Sequence, residues 1–163
     1  MPDETARNFE SILIRLAEGQ VEFLVIGGVC AALQGAPVQT FDLDLLYARK
    51  AENLLRLERA LRKMHATYRE KKSVTPDASL LDGPGHHLLM TDFGPLDLLG
   101  ATVNDLSYDD LIDRSDIVDL SDGVEIRILD LPMLIRIKEI LDRDRDRATL
   151  PILRKTLEER SKD

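Results

Sequence analysis

The stretch Phe23–Tyr47, FLVIGGVCAALQGAPVQTFDLDLLY, decides how this chain is to be read. Val21–Ile26 is a short, unbroken apolar run and predicts a buried strand. Gly27 and Gly28 break it, and Val29–Gln34 predicts a short helix that Gly35 and Pro37 stop. Thr40–Tyr47 predicts a second strand. Residues two apart on a strand share a face, so Asp42 and Asp44 would stand side by side, with Phe41, Leu43 and Leu45 on the opposite, buried face.

Two such carboxylates repel one another when both are ionised, and a divalent cation removes that repulsion. Mg²⁺ suits the role, because it takes oxygen ligands and fills its shell with waters and substrate phosphates. Mn²⁺ is the alternative ion. Glycines at the start of a helix let a phosphate approach the backbone, where free N–H groups favour an anion. A third carboxylate, Asp97, sits in the later apolar segment GPLDLLG. If its strand pairs beside the first, Asp42, Asp44 and Asp97 converge as a ligand set for two metals. Each part alone has a plainer meaning. A D-x-D on a strand is more often a solvated face, and Gly-Gly after a strand is usually a turn. Their order and spacing together favour the metal site.

Outward from this centre the pattern is mixed. Asp3 is placed to cap a helix running to about Glu18, with Phe9, Ile12, Leu13 and Leu16 on one face. Ala51–Glu70 predicts a long helix, and Lys71–Gly85, rich in Pro and Gly, a loop. His86–Thr91 and Leu96–Leu99 predict strands joined at Phe93-Gly94-Pro95. Ser107 is placed to cap a short helix through Ile112, and Ile117–Leu120 with Val124–Leu129 predicts a hairpin. Asp130 and Pro132 mark a helix start at Leu131, and a last helix is predicted over about Arg145–Glu159, interrupted or kinked at Pro151. This describes one α+β domain over 1–163: a small mixed central sheet flanked by helices, with a C-terminal helical segment at about 131–160.

Composition narrows the function. With 163 residues, 44% hydrophobic and 32% charged, the chain has the make-up of an ordinary folded domain. A net charge of −8 disfavours broad coating of DNA. The single cysteine, Cys30, rules out an intrachain disulfide and reads as a small buried residue. The absence of an apolar leader in MPDETARNFE and of any membrane-length run leads us to expect a cytoplasmic protein without membrane contact. With three tyrosines, four phenylalanines and no tryptophan, a base-stacking platform is not expected. His86 and His87 are neighbours on a strand, so they face opposite ways and do not share a metal.

The order strand, Gly-Gly, helix, D-x-D, strand and Asp resembles the nucleotidyltransferase superfamily that includes DNA polymerase β. Within it, the chain looks like small prokaryotic members related to AbiEii-type toxins, which implies a toxin–antitoxin-like setting. VIGGVCAALQGAPVQTFDLDLL is similar to the glycine and double-Asp motif, GPLDLLG to the strand bearing the third carboxylate, and LDLPMLIRIKEILDRDRDRATLPIL to the C-terminal helical segment. It departs from the pattern at Pro37-Val38-Gln39, where a basic residue is common, at Arg145, where lysine is commoner, and at Thr149, where an acid is often found.

The resemblance implies the nucleotidyltransferase fold and transfer of a nucleoside monophosphate from an NTP to an RNA, protein or small-molecule hydroxyl. It implies that Gly27, Gly28 and Lys138 contact the triphosphate, with Arg143 and Arg145 weaker candidates. Asp42 and Asp44 would bind both metals, and Asp97 would complete one site and help activate the acceptor. Without the resemblance, Lys138 reads as a solvated lysine, and the alternating charges of Arg143–Arg147 as a paired surface. Two other functions compete. One is a catalytically inactive nucleotide- or partner-binding module, which would not need the third aspartate. The other is a glycosyltransferase, whose D-x-D holds Mn²⁺ but which leaves the preceding Gly-Gly unexplained.

Overall fold

The computed structural model describes residues 4–40 and 42–162. Apolar runs too short for helices make the sheet. Phe23–Ile26 (β1) is buried at every position, and so are the last three residues of Asp44–Tyr47 (β2). Strands buried on both faces belong at the centre of a covered sheet. Thr67–Tyr68 (β3), His86–Thr91 (β4), Gly94–Leu99 (β5), Ser115–Asp119 (β6) and Glu125–Leu129 (β7) complete it. The described strands form one sheet in the order β3-β4-β5-β2-β1-β7-β6. It is mixed: β2 pairs parallel with β5 and β1 parallel with β7, while the other neighbours are antiparallel.

Glu4–Glu18 (α1) turns Phe9, Ile12, Leu13 and Leu16 into the core, as its periodicity predicts, while the Asp3 cap lies outside the described residues. Gly27–Leu33 (α2) begins at the glycines themselves, two residues earlier than the pattern suggests. β2 begins at Asp44 rather than Thr40. Pairing with β5 starts where Asp97 N donates to Leu43 O at 2.9 Å, and ahead of it Thr40 Oγ1 donates to Asp42 O at 3.0 Å. Phe41 lies outside the described residues.

Ala51–Lys63 (α3) stops well short of Glu70. His65 takes the left-handed conformation at φ 52°, Met64 and Ala66 on either side are fully buried, and the chain re-enters the sheet as β3. The expected loop contains a turn of helix, Ala78–Leu81 (α4), where Asp77 accepts from Leu80 N at 2.8 Å and Leu81 is buried.

Tyr108–Leu111 (α5) starts at a reciprocal Ser107–Asp110 capping box. Leu131–Leu141 (α6) starts as predicted, with Asp130 accepting from Met133 N at 2.7 Å and Pro132 in the first turn. Asp144–Arg160 (α7) carries Pro151 in its interior without ending there. Among the described residues no helix is long and apolar enough to cross a membrane.

Asn53 locks α3 to the two central strands. It is fully buried, accepts from Glu22 N at 2.7 Å, and donates to Glu22 O at 3.0 Å and Ala48 O at 2.7 Å. Asn53→Ala leaves these backbone groups unpaired, and the unfolding free energy in urea should fall by about 2 kcal/mol or more. A loss within error of zero would show that the three bonds are replaced.

Candidate functional site

One rung of the sheet assembles the site. Ile26 pairs with Asp44, Asp44 with Asp97, and Asp97 with Leu88. Arg69 extends the rung, its N–H donating to Leu88 O at 3.0 Å. Directly paired residues on neighbouring strands project from the same face. The carboxylates of Asp44 and Asp97 are therefore side by side. Arg69 reaches past Leu88 and donates from Nη2 to Asp97 Oδ1 at 2.5 Å. The Arg69 and Asp97 side chains are 27% and 15% exposed, so solvent screens this pair only in part.

Gly27 forms the next wall. Its φ of 72° suits glycine, and a Cβ there would lie 3.2 Å from Asp44 Cβ and closer still to Asp44 Oδ2. The start of α2 has no side-chain cap, which leaves its first N–H groups free of a local acceptor. Gly28 has a different reason to be small. A Cβ there would lie 2.6 Å from Thr40 Oγ1 and 2.8 Å from Thr40 Cβ, so Gly28 seats the segment leading into β2. An added side chain at Gly28 would therefore meet Thr40 before any ligand, whereas one at Gly27 would meet Asp44.

The third wall comes from α6 and α7. Lys138, Arg143 and Arg145 line the same cleft as Gly27, Asp44 and Asp97, a space of about 240 Å³. Asp142 in the left-handed conformation, φ 48°, turns α6 into α7. Asp146, fully buried, accepts from Arg143 Nε at 2.6 Å and from Lys138 Nζ at 3.3 Å. Lys138 is only 15% exposed and is held in place, unlike an ordinary surface lysine. Leu88, Leu99, Val103, Leu134 and Ile137 supply apolar lining.

Asp44 pays the electrostatic penalty of this crowding. Burial, then the Asp97 charge and a hydrogen bond with Asp97, then the Asp42 charge, push its pKa from 3.8 up to about 7, against the opposing pull of Arg145. Burial also pushes Asp146 up, but the hydrogen bonds from Arg143 and the Lys138 charge outweigh it and hold that carboxyl below its usual range. Cys30 donates to Leu129 O at 3.1 Å, and burial pushes its thiol up to about 12, which makes it a poor nucleophile.

The sheet brings Asp44 and Asp97 together but leaves Asp42 exposed ahead of β2. Among the described residues no group of three or more acidic, His or Cys side chains is gathered as a metal site. The pair itself fits Mg²⁺, which is commonly held by one or two carboxylates together with substrate phosphates. His86 faces the cleft and bonds Ala101 O at 3.0 Å, while His87 bonds Tyr68 on the other face. Arg69 and Asp146 are site residues that sequence reasoning missed. The β-forming Thr67-Tyr68 just before Arg69 was the available signal that the helix had ended.

No protein-family model matches the chain. No curated protein matches it. Among solved structures it is similar to the crystal structure of a candidate nucleotidyltransferase from Thermotoga maritima, at 22% identity and a TM-score of 0.60, over 98% of this chain and 96% of that one. The mixed sheet and its helices are thus arranged as in a nucleotidyltransferase fold.

The Asp44 shift has a direction that can be tested. The folded, metal-free protein holds this proton up to about pH 7, whereas the ordinary value is 3.8, so stability falls as pH rises through that window. Asp44→Asn removes the effect. Its melting temperature should match wild type in strong acid and exceed it increasingly toward neutral pH, in buffer with chelator. An unchanging difference between acid and neutral pH would refute the shift.

Proposed function

We propose that this chain transfers a nucleoside monophosphate from an NTP to a hydroxyl, using Mg²⁺ or Mn²⁺ held at Asp44 and Asp97. The observation that carries the reading is the in-register Asp44–Asp97 pair, with Gly27 against it and Lys138 and Arg145 lining the same cleft. The likeness in fold supports the same class of reaction. Asp42, at the entrance to β2, is the further ligand that the double-Asp pattern supplies.

Gly27, lacking a side chain, admits the triphosphate to the uncapped start of α2. Lys138, steadied by Asp146, contacts the phosphates, and Arg143 and Arg145 offset charge that builds toward the leaving pyrophosphate. Gly28 acts one step removed, by seating Thr40. Asp44 and Asp97, with Asp42, would hold the cation, and its Lewis acidity would make the attacking hydroxyl more acidic and offset charge on the leaving group. Asp97 orients the acceptor hydroxyl and receives its proton. The acceptor oxygen bonds to the α-phosphorus, the α–β anhydride bond breaks, and pyrophosphate leaves with the electron pair. Leu88 and Val103, 45% and 67% exposed, flank the Asp97 side, where an RNA, protein or small-molecule acceptor would enter.

The Arg69–Asp97 pair favours a second reading, a nucleotide- or partner-binding module without turnover. Labelled NTPs with Mg²⁺ or Mn²⁺ and a cell lysate separate the two. Transfer of label that Asp97→Asn abolishes, while NTP binding persists, supports the enzyme. Binding without transfer to any component supports the module.

Lys138→Ala should weaken NTP binding by about 1.5–3 kcal/mol, the worth of a hydrogen bond to a charged group. Metal binding should change little, and Arg143 remains to partner Asp146. Unaltered NTP affinity in a titration would remove Lys138 from the phosphate site.

A further inference from the structure

Arg69 belongs to the site by geometry, yet the proposed reaction gives it no part. It follows β3, a two-residue edge strand, and its backbone N–H is tied to Leu88 O. The turn beyond it is held by local backbone bonds, Lys71 N to Tyr68 O at 3.2 Å and Val74 N to Lys71 O at 3.0 Å. Among the described residues its ion pair is with Asp97 alone. Its guanidinium thus sits on the carboxyl that a metal would share with Asp44. A guanidinium hydrogen-bonded to a carboxylate oxygen competes with a cation for that oxygen.

We propose that Arg69 is a positioning residue that stands in for the metal. In the metal-free chain it neutralises Asp97, and a divalent cation entering the Asp44–Asp97 pair displaces it and loosens the turn that carries it. Arg69 thereby sets the metal affinity of the site and couples metal loading to the β3 edge, beside the acceptor approach. The inference rests on the metal-dependent reading above.

The test titrates Mn²⁺ alone into the full chain, with free Mn²⁺ followed by electron paramagnetic resonance. Arg69→Gln should bind Mn²⁺ about tenfold more tightly than wild type, the worth of one charged hydrogen bond. Arg69→Lys, which keeps the charge, should fall between the two. In an Asp97→Asn background, Arg69→Gln should have no effect on affinity. A purely structural arginine would leave affinity unchanged or lower it on removal, and either result in Arg69→Gln overturns the proposal. Hydrogen exchange of wild type supplies an independent arm in case that variant does not fold. Mg²⁺ should speed exchange of the amides over 69–74, and unchanged or slower exchange overturns the proposal. No Mn²⁺ binding by any variant, alone or with an NTP, would remove the metal-dependent reading and this inference with it, whereas Mn²⁺ binding seen only with an NTP overturns this inference alone. Binding of equal strength in wild type and Arg69→Gln removes this inference alone.

Discussion

The repulsion between Asp44 and Asp97 organises this molecule around its cleft. Parallel pairing of β2 with β5 puts the two carboxyls on the same rung and the same face, and half-buries both. Like charges so placed cannot both ionise freely without a counter-charge. The surrounding features answer that constraint. Asp44 keeps its proton to about pH 7, Arg69 binds Asp97, and Arg145 pulls the Asp44 value back toward normal. Gly27 is needed because Asp44 occupies the space that a side chain would take.

A strained rung needs a frame that does not yield. β1 and β2 are covered on both faces, so their register is set by packing on either side of the sheet. Asn53 ties the ends of those strands to α3 through three hydrogen bonds. On the opposite wall, Asp146 is a buried anion whose neighbours are both basic cleft residues. Breaking such a pair by removing one partner leaves an uncompensated buried charge. Lys138 and Arg143 are thereby held at the cleft wall rather than free to range through solvent.

The cleft is uneven in a way that bears on chemistry. On one side of the carboxylate pair are Gly27, Lys138 and Arg145, suited to phosphates. On the other, Leu88 and Met90 of β4 and Val103 in the loop after β5 are apolar and each more than 40% exposed, with the exposed His86 at the start of β4. Arg69 is the cation that crosses this apolar strip.

Much of this was legible in the sequence, wherever local pattern and burial agree. The apolar run before Gly27, the face of α1, the Ser107 and Asp130 caps and the two hairpins follow from periodicity and from residues whose side chains satisfy their own helix ends. The D-x-D and the later Asp97 drew attention to the acids, two of which, Asp44 and Asp97, the sheet pairs. Sequence alone did not decide which acids meet. Spacing placed Asp42 beside Asp44, but a strand starts where a partner's hydrogen bonds start, and β5 begins to pair at Leu43. Sequence also did not decide where α3 ends. Propensity favoured helix to Glu70, whereas burial of Met64 and Ala66 and the free edge of β4 drew residues 67–68 into the sheet. That tertiary contact brought Arg69 to Asp97, residues 28 positions apart in the chain. Local sequence determines what each segment favours by itself. The pairing of strands determines which charges must share a face, because that depends on register between segments that do not adjoin.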